Sequence, residues 1–321
     1  MYKLEYYAKK TFLALKNPYK TVLNVYPNII DNVKYNIDNF GYSYYMGIKN
    51  TNTISCDFIN NFEKNGFLKH TIDKMSLGGR AIDLDLINPL TTKYMTGSSS
   101  GTALNVFYGI NDLGIGTDGG GSVLAPASSL NLYGLISPII DENNMKKYKK
   151  LSTDNIEFYP SIGFISRDLE IIKKAVNISL PMKNIKNIDR INIKYVDDDV
   201  NIYDDRKILI DYVNKTVKTN TILISKEGPV DIYGIGDSIY GHFDENTLKN
   251  QRLSNKGLMR VVNMCNKSAL CIPQKELGVS LVLICESTLS DIYNMLSIAD
   301  KFCCEKDELI ERYFMNFNMY F

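Results

Sequence analysis

Two short runs, Thr96-Gly97-Ser98-Ser99-Ser100-Gly101 and Gly114-Ile115-Gly116-Thr117-Asp118-Gly119-Gly120-Gly121-Ser122, decide how the rest of the chain is read. Between them Ala103, Val106, Phe107 and Ile110 fall at helical spacing, and the serines ahead of them suit a helix N-terminus. Leu113, Ile115 and Thr117 then alternate like a strand. A helix from about Gly101 to Asn111 advances roughly 16 Å, at about 1.5 Å per residue. A strand from Leu113 to Asp118 returns roughly 20 Å, at about 3.3 Å per residue. Both small-residue runs therefore finish at the same end of a helix–strand pair, where Ser98 and Ser122 can meet.

Outward from this pair, helical and strand-like patterns alternate. Residues 1–45 read as one or two helices, broken at Asn17-Pro18 and Tyr26-Pro27. Tyr44 to Asn50 reads as extended, Asn60 to Lys69 as a short helix, and Leu77-Gly78-Gly79-Arg80 as a turn. Downstream, Ile171–Leu180, Asp204–Lys218 and Ser290–Phe302 suit helices, and Arg190–Val196 and Val279–Cys285 suit strands. The alternation predicts the α/β class, with residues 1–321 as a single domain and no internal repeat.

Composition narrows the function classes. Lys+Arg at 37 and Asp+Glu at 36 nearly cancel, so no global field favours nucleic acid or an anionic membrane. No window approaches the ~18 apolar residues of a membrane span, and charges interrupt the first 20 residues where a signal peptide would be apolar; a cytoplasmic protein is expected. The six cysteines form no CxxC pair and only His70 and His242 could assist them, so no metal is expected. Five of the cysteines lie in the last third among apolar residues, which predicts buried, reduced thiols.

The chemistry offered by the two runs is that of an activated serine. A serine hydroxyl needs a neighbour to take its proton, and neither histidine has glycine-rich company. A lysine can take that role where burial brings its pKa towards neutrality, and Lys49 follows the apolar Tyr44, Tyr45, Met46 and Ile48. The backbone N–H groups of Gly119, Gly120 and Gly121 stand ahead of Ser122 with no side chains in the way, as an oxyanion cradle requires. Gly114-x-Gly116-x-x-Gly119 also fits a dinucleotide loop, but Asp118 inside it would repel a pyrophosphate. Asp118 is expected to shape the loop by accepting hydrogen bonds.

At these residues the chain resembles the amidase signature family. That family carries a Gly-Gly-Ser-Ser-Gly-Gly segment and, after a helix and a strand, Gly-x-Asp-x-Gly-Gly-Ser, with the same separation of the two serines. Met46-Gly47-Ile48-Lys49-Asn50 is similar to the family's Gly-x-Pro-x-x-Lys-Asp strand end, without its proline and with Asn50 for Asp. Asn88-Pro89, Phe158–Asp168 and Asn263–Pro273 with Leu277-Gly278-Val279 are weaker echoes. The resemblance implies an α/β/α sandwich around a mixed sheet and an amidohydrolase without cofactor, acting on a small-molecule amide. It implies Ser122 as the acyl-forming nucleophile, Ser98 as a bridging serine after a cis peptide at Gly97–Ser98, and Lys49 as the base, with Ser99, Thr117 and Asp118 in support. Leu124 stands where the family usually has arginine, Ser100 replaces a glycine, and the Lys49–Ser98 interval and the whole chain are shorter than usual. Two other readings follow from these features. One is an amidotransferase A-type subunit that releases ammonia from glutamine for a partner; the other is a non-catalytic member kept for binding or assembly. Whether the chain forms a homo-oligomer stays open.

Overall fold

The computed structural model describes residues 2–182, 185, 191–305 and 307–315. The chain opens with α1 (Tyr2–Lys16), β1 (Val22–Val25), α2 (Ile30–Phe40), β2 (Tyr44–Lys49), α3 (Cys56–Glu63) and β3 (Phe67–Asp73). A hairpin of β4 (Ile82–Ile87) and β5 (Tyr94–Thr96) precedes α4 (Ser100–Phe107), β6 (Leu113–Asp118), α5 (Leu124–Ser129) and β7 (Tyr133–Ser137). Next come α6 (Glu142–Met145), the short pair β8 (Lys150–Leu151) and β9 (Glu157–Phe158), β10 (Ser161–Ser166) and α7 (Leu169–Ser179). The remainder is β11 (Asn192–Tyr195), α8 (Arg206–Thr216), β12 (Thr221–Glu227), α9 (Glu245–Arg252), β13 (Lys267–Pro273), β14 (Ser280–Glu286), α10 (Leu289–Ala299) and α11 (Glu308–Phe314).

Ten of these strands form one mixed sheet in the order β1-β3-β2-β6-β10-β7-β13-β14-β12-β11. β2 runs parallel to both β3 and β6, β11 runs parallel to β12, and the other pairs are antiparallel. Every residue of β6 and of β10 is buried, the signature of central strands covered on both faces. Two apolar clusters supply the cover. One gathers Leu104, Phe107, Leu124, Leu209 and Val213 from α4, α5 and α8; the other gathers Phe58, Phe62, Ile172, Val176, Ile292 and Met295 from α3, α7 and α10. This is the expected α/β/α sandwich around a mixed sheet. Among the described residues no helix is long and apolar enough to cross a membrane.

The central elements fall where the pattern put them, and the edges differ. The first 45 residues contain β1 as well as helices; Val22 pairs across to Asp73, so the strand is made by its neighbour and not by a long pattern of its own. The helix expected over Asn60–Lys69 lies earlier, at Cys56–Glu63, capped by the Ser55 hydroxyl on the Phe58 N–H. Phe67 begins β3, because parallel pairing with β2 claims that stretch. Arg190, expected at a strand start, lies outside the described residues; the strand runs Asn192–Tyr195. All six cysteines are free, but only Cys265, Cys271 and Cys285 are buried. Cys303 is exposed and Cys304 partly so, since both follow α10 on the surface.

Candidate active site

Lys49 is the last residue of β2, and β2 pairs with β6 through Ile48 opposite Ile115. The strand thus delivers Lys49 beside the end of β6, where the glycine run begins. Lys49 is only 3% exposed. Its Nζ donates to Ser98 Oγ at 2.8 Å, to the Thr117 carbonyl at 3.1 Å and to Thr117 Oγ1 at 3.3 Å. Burial, only partly offset by the nearby Asp118 charge, lowers its pKa from 10.5 to about 7. Asp73, opposite Lys49 in the β2/β3 register, is bonded instead to Thr71 and Asn105, and burial pushes its carboxyl up to about 8.

Ser98 follows a cis peptide bond from Gly97, as the resemblance implied. The next residue, Ser99, donates its backbone N–H to the Ser122 carbonyl at 3.1 Å, which ties the two small-residue runs together. Ser99 Oγ is buried and unpaired among the described residues. Ser100 Oγ donates to Asp83, whose other oxygen takes the N–H groups of Asp85 and Leu86; the serine in place of a glycine thus fastens α4 to β4.

Asp118 shapes the glycine run as expected. Fully buried, it accepts the N–H groups of Gly121 (2.7 Å), Val123 (2.6 Å) and Leu124 (3.2 Å). Burial raises its pKa, against the lowering effect of these three bonds and of Lys49. One expectation changes here. The Gly121 N–H is held by Asp118 and is not free for an oxyanion, so the candidate donors become Gly119, Gly120 and Ser122 itself. Gly121 has φ +98°, a left-handed conformation that glycine adopts without a Cβ penalty. Gly119 is pressed by the Phe158 ring: a Cβ there would lie 2.3 Å from its Cε2 atom. Asn263 Nδ2 reaches the carbonyls of Tyr159 (2.8 Å) and Gly119 (3.5 Å), and its Oδ1 accepts from Ser161.

Ser122 lies half-buried at the turn into α5. It lines the same cavity of about 310 Å³ as Lys49, Ser98, Thr117, Asp118, Gly119 and Gly120. No hydrogen bond joins its hydroxyl to Ser98 among the described residues, so the geometry shows one proton link, Lys49 to Ser98, and places the second hydroxyl in the same chamber. Leu124 is fully buried in the apolar cluster, with no ion pair in its place. His70 is buried elsewhere, bonded to Asn111 and held down to a pKa of about 3. Among the described residues no cluster of His, Cys, Asp or Glu side chains is placed to hold a metal ion.

The far wall of the cavity is lined by charged residues that no sequence motif marks. Arg80, in the expected turn, makes a two-pronged pair with Asp237 (2.7 and 2.9 Å). Lys256 Nζ lies 3.0 Å from Asp231 and donates to the Gly236 carbonyl at 2.9 Å. Lys150, Arg206 and Arg260 complete a markedly basic lining. These cations come from separate segments, among them β8, the start of α8 and the turn Gly257–Arg260, with no local motif to mark them.

Residues 86–154 match the family model Amidase. Over 90 residues the chain is 31% identical to Amidase 1 of Oryza sativa subsp. japonica, a match that covers 27% of this chain and 19% of that protein, so it spans about a fifth of the relative's length. Among solved structures, a 6-aminohexanoate cyclic dimer hydrolase complexed with substrate superposes with a TM-score of 0.60 at 12% identity, over 92% of each chain. An allophanate hydrolase of Kluyveromyces lactis gives 0.60 at 13%, over 90% of this chain and 68% of that one. An amidase family protein from Bacillus anthracis str. Ames gives 0.57 at 12%, over 94% and 88%. At such identities these likenesses speak for the fold, while the motif match speaks for the segment that bears Ser98 and Ser122. In its motif segment, residues 86–154, the chain matches the Amidase family model, and in its fold it is similar to these solved hydrolases.

Proposed function

We propose that the chain hydrolyses a carboxamide through an acyl-enzyme on Ser122, with Lys49 and Ser98 as the proton relay. The observation that carries the reading is a fully buried lysine 2.8 Å from Ser98 Oγ, with its pKa lowered to about 7. A neutral amine at that position accepts the Ser98 proton while Ser98 takes the proton of Ser122. Ser122 Oγ attacks the amide carbon, and the carbonyl oxygen becomes an oxyanion facing the N–H groups of Gly119, Gly120 and Ser122. Each well-placed donor of this kind contributes about 10²–10³ in rate. The proton held by the relay passes to the leaving nitrogen as the C–N bond breaks. Water, activated by the same relay, then attacks the ester carbon, releases the acid and restores the Ser122 hydroxyl. Contact between the Ser98 and Ser122 hydroxyls is made when substrate fills the chamber, as catalytic hydrogen bonds often tighten on binding. Thr117 supports the amine from below, and Asp118 fixes the loop.

A fluorophosphonate probe tests this directly. Labelling should occur at Ser122, vanish in Ser122→Ala and fall by more than about 10²-fold in Lys49→Ala, the scale of a lost general base. A folded protein with no labelling would refute the catalytic reading and favour a binding role. Release of ammonia or amine from simple aliphatic and aromatic amides would then identify the reaction in turnover.

A further inference from the structure

We propose that the cavity takes a substrate that bears a carboxylate, held by Arg206 and Arg260 away from the scissile amide. The inference rests on the hydrolytic reading above and specifies what that site accepts. Arg206 begins α8 and its side chain is 11% exposed. Nη1 is paired with Asp154 at 2.9 Å and Thr153 Oγ1 at 3.1 Å, while Nε is buried with no partner among the described residues. Arg260 ends the turn Gly257–Arg260, which abuts the nucleophile loop: a Cβ on Gly120 would lie 3.4 Å from the Arg260 carbonyl oxygen. Its guanidinium donates only to the carbonyls of Gly257 (3.1 Å), Ile202 (3.5 Å) and Asp204 (2.8 Å), and no carboxylate pairs with it within 4 Å among the described residues.

Both guanidiniums thus line this one cavity. Burial first, then the charge of Arg206, lowers Arg260 from its ordinary 12.5 to about 10. The acids that face them do not cancel them. Asp154 serves Arg206, and Glu227, itself raised by burial to about 7, acts on Arg260 only from a distance. Asp204 and Asp205 are taken up with Arg252. Lys150 adds a further cation at the rim. Arg260 therefore keeps a positive charge that no carboxylate answers, with planar donors suited to a two-oxygen acceptor. A carboxylate group answers it.

The test uses succinate and glutarate against neutral butyramide as protectants of Ser122 from fluorophosphonate labelling, in the full chain and in Arg206→Gln and Arg260→Gln. The dicarboxylates should slow labelling at concentrations where butyramide does not, and each substitution should weaken that protection about 10- to 100-fold, with Arg206→Lys restoring part of it. In turnover, the preference for succinamate over its methyl ester should collapse in the same variants. Arg206→Gln carries the decision should the more deeply placed Arg260→Gln not fold. Equal protection by dicarboxylates and butyramide, or protection unchanged in folded Arg206→Gln, overturns the proposal while labelling of Ser122 leaves the hydrolytic reading intact. If Ser122 is never labelled, the hydrolytic reading fails separately. Calorimetry of succinate binding then decides the subsite alone: binding lost in Arg206→Gln supports it, and no binding, or binding unchanged, overturns it.

Discussion

The proposed mechanism predicts the pH dependence of Ser122 reactivity from the placement of Lys49. Only the neutral amine can accept the Ser98 proton, and burial brings its pKa from 10.5 to about 7. At pH 8 an ordinary lysine is about 0.3% neutral, whereas one with a pKa near 7 is about 90% neutral, a gain of about 300-fold in competent base. At pH 6 the neutral fraction falls to about 9%, so the rate should drop about tenfold between pH 8 and pH 6 and level off above pH 8. The assay is the second-order rate of fluorophosphonate labelling between pH 5 and 10, which needs no knowledge of the substrate. A plot of log rate against pH should rise with unit slope below about 7 and then bend to a plateau. A line that keeps climbing past pH 9 would mean that the lysine titrates as if solvated, and a flat profile from 5 to 8 would mean that it is not the base. Either result refutes the argument from burial.

Three further outcomes are expected. Moving the lysine pKa from 10.5 to about 7 corresponds to about 5 kcal/mol against the buried ammonium, felt in full below pH 7 and fading towards 10.5, because between those values the unfolded chain holds a proton that the folded chain lacks. Lys49→Met should therefore abolish labelling yet raise the melting temperature measured by calorimetry at pH 6, even after about 1–3 kcal/mol is lost at the unpaired Thr117 carbonyl. Asp118→Ala strands three buried N–H groups, which should cost at least about 3 kcal/mol in denaturant unfolding and lower labelling by about 10²-fold. Gly119→Ala drives a methyl into Phe158 and should slow labelling by more than tenfold; the double variant with Phe158→Ala should recover a good part of it, and a strictly additive cycle would show that the ring does not press on the loop.

The helix–strand core of the site was legible because its pattern is local. Ser98, Ser122 and Asp118 lie within 25 residues, and a rise-per-residue argument suffices to bring them together. Lys49 was legible only in part: its apolar company could announce burial, but its depth depends on β2 being flanked by β3 and β6. β1 and the start of β3 escaped notice because pairing partners, not periodicity, make them strands. The basic wall was invisible for a different reason. Arg206 and Arg260 come from separate elements 54 positions apart, and each alone looks like a solvated surface charge. The Gly121 assignment failed because a bare glycine advertises a free N–H, while the geometry of the Asp118 side chain decides whether it is free.

The registration of β2 on β6 has a consequence for how competence is acquired. The two strands lie 64 positions apart at Lys49 and Leu113, and a slip by one residue would turn the lysine to the opposite side of the sheet. On the proposed mechanism, reactivity at Ser122 would thus be an all-or-none property of a correctly aligned ladder. The time course of probe capture during refolding would consequently read out completion of the sheet's centre, with molten or misaligned species remaining silent.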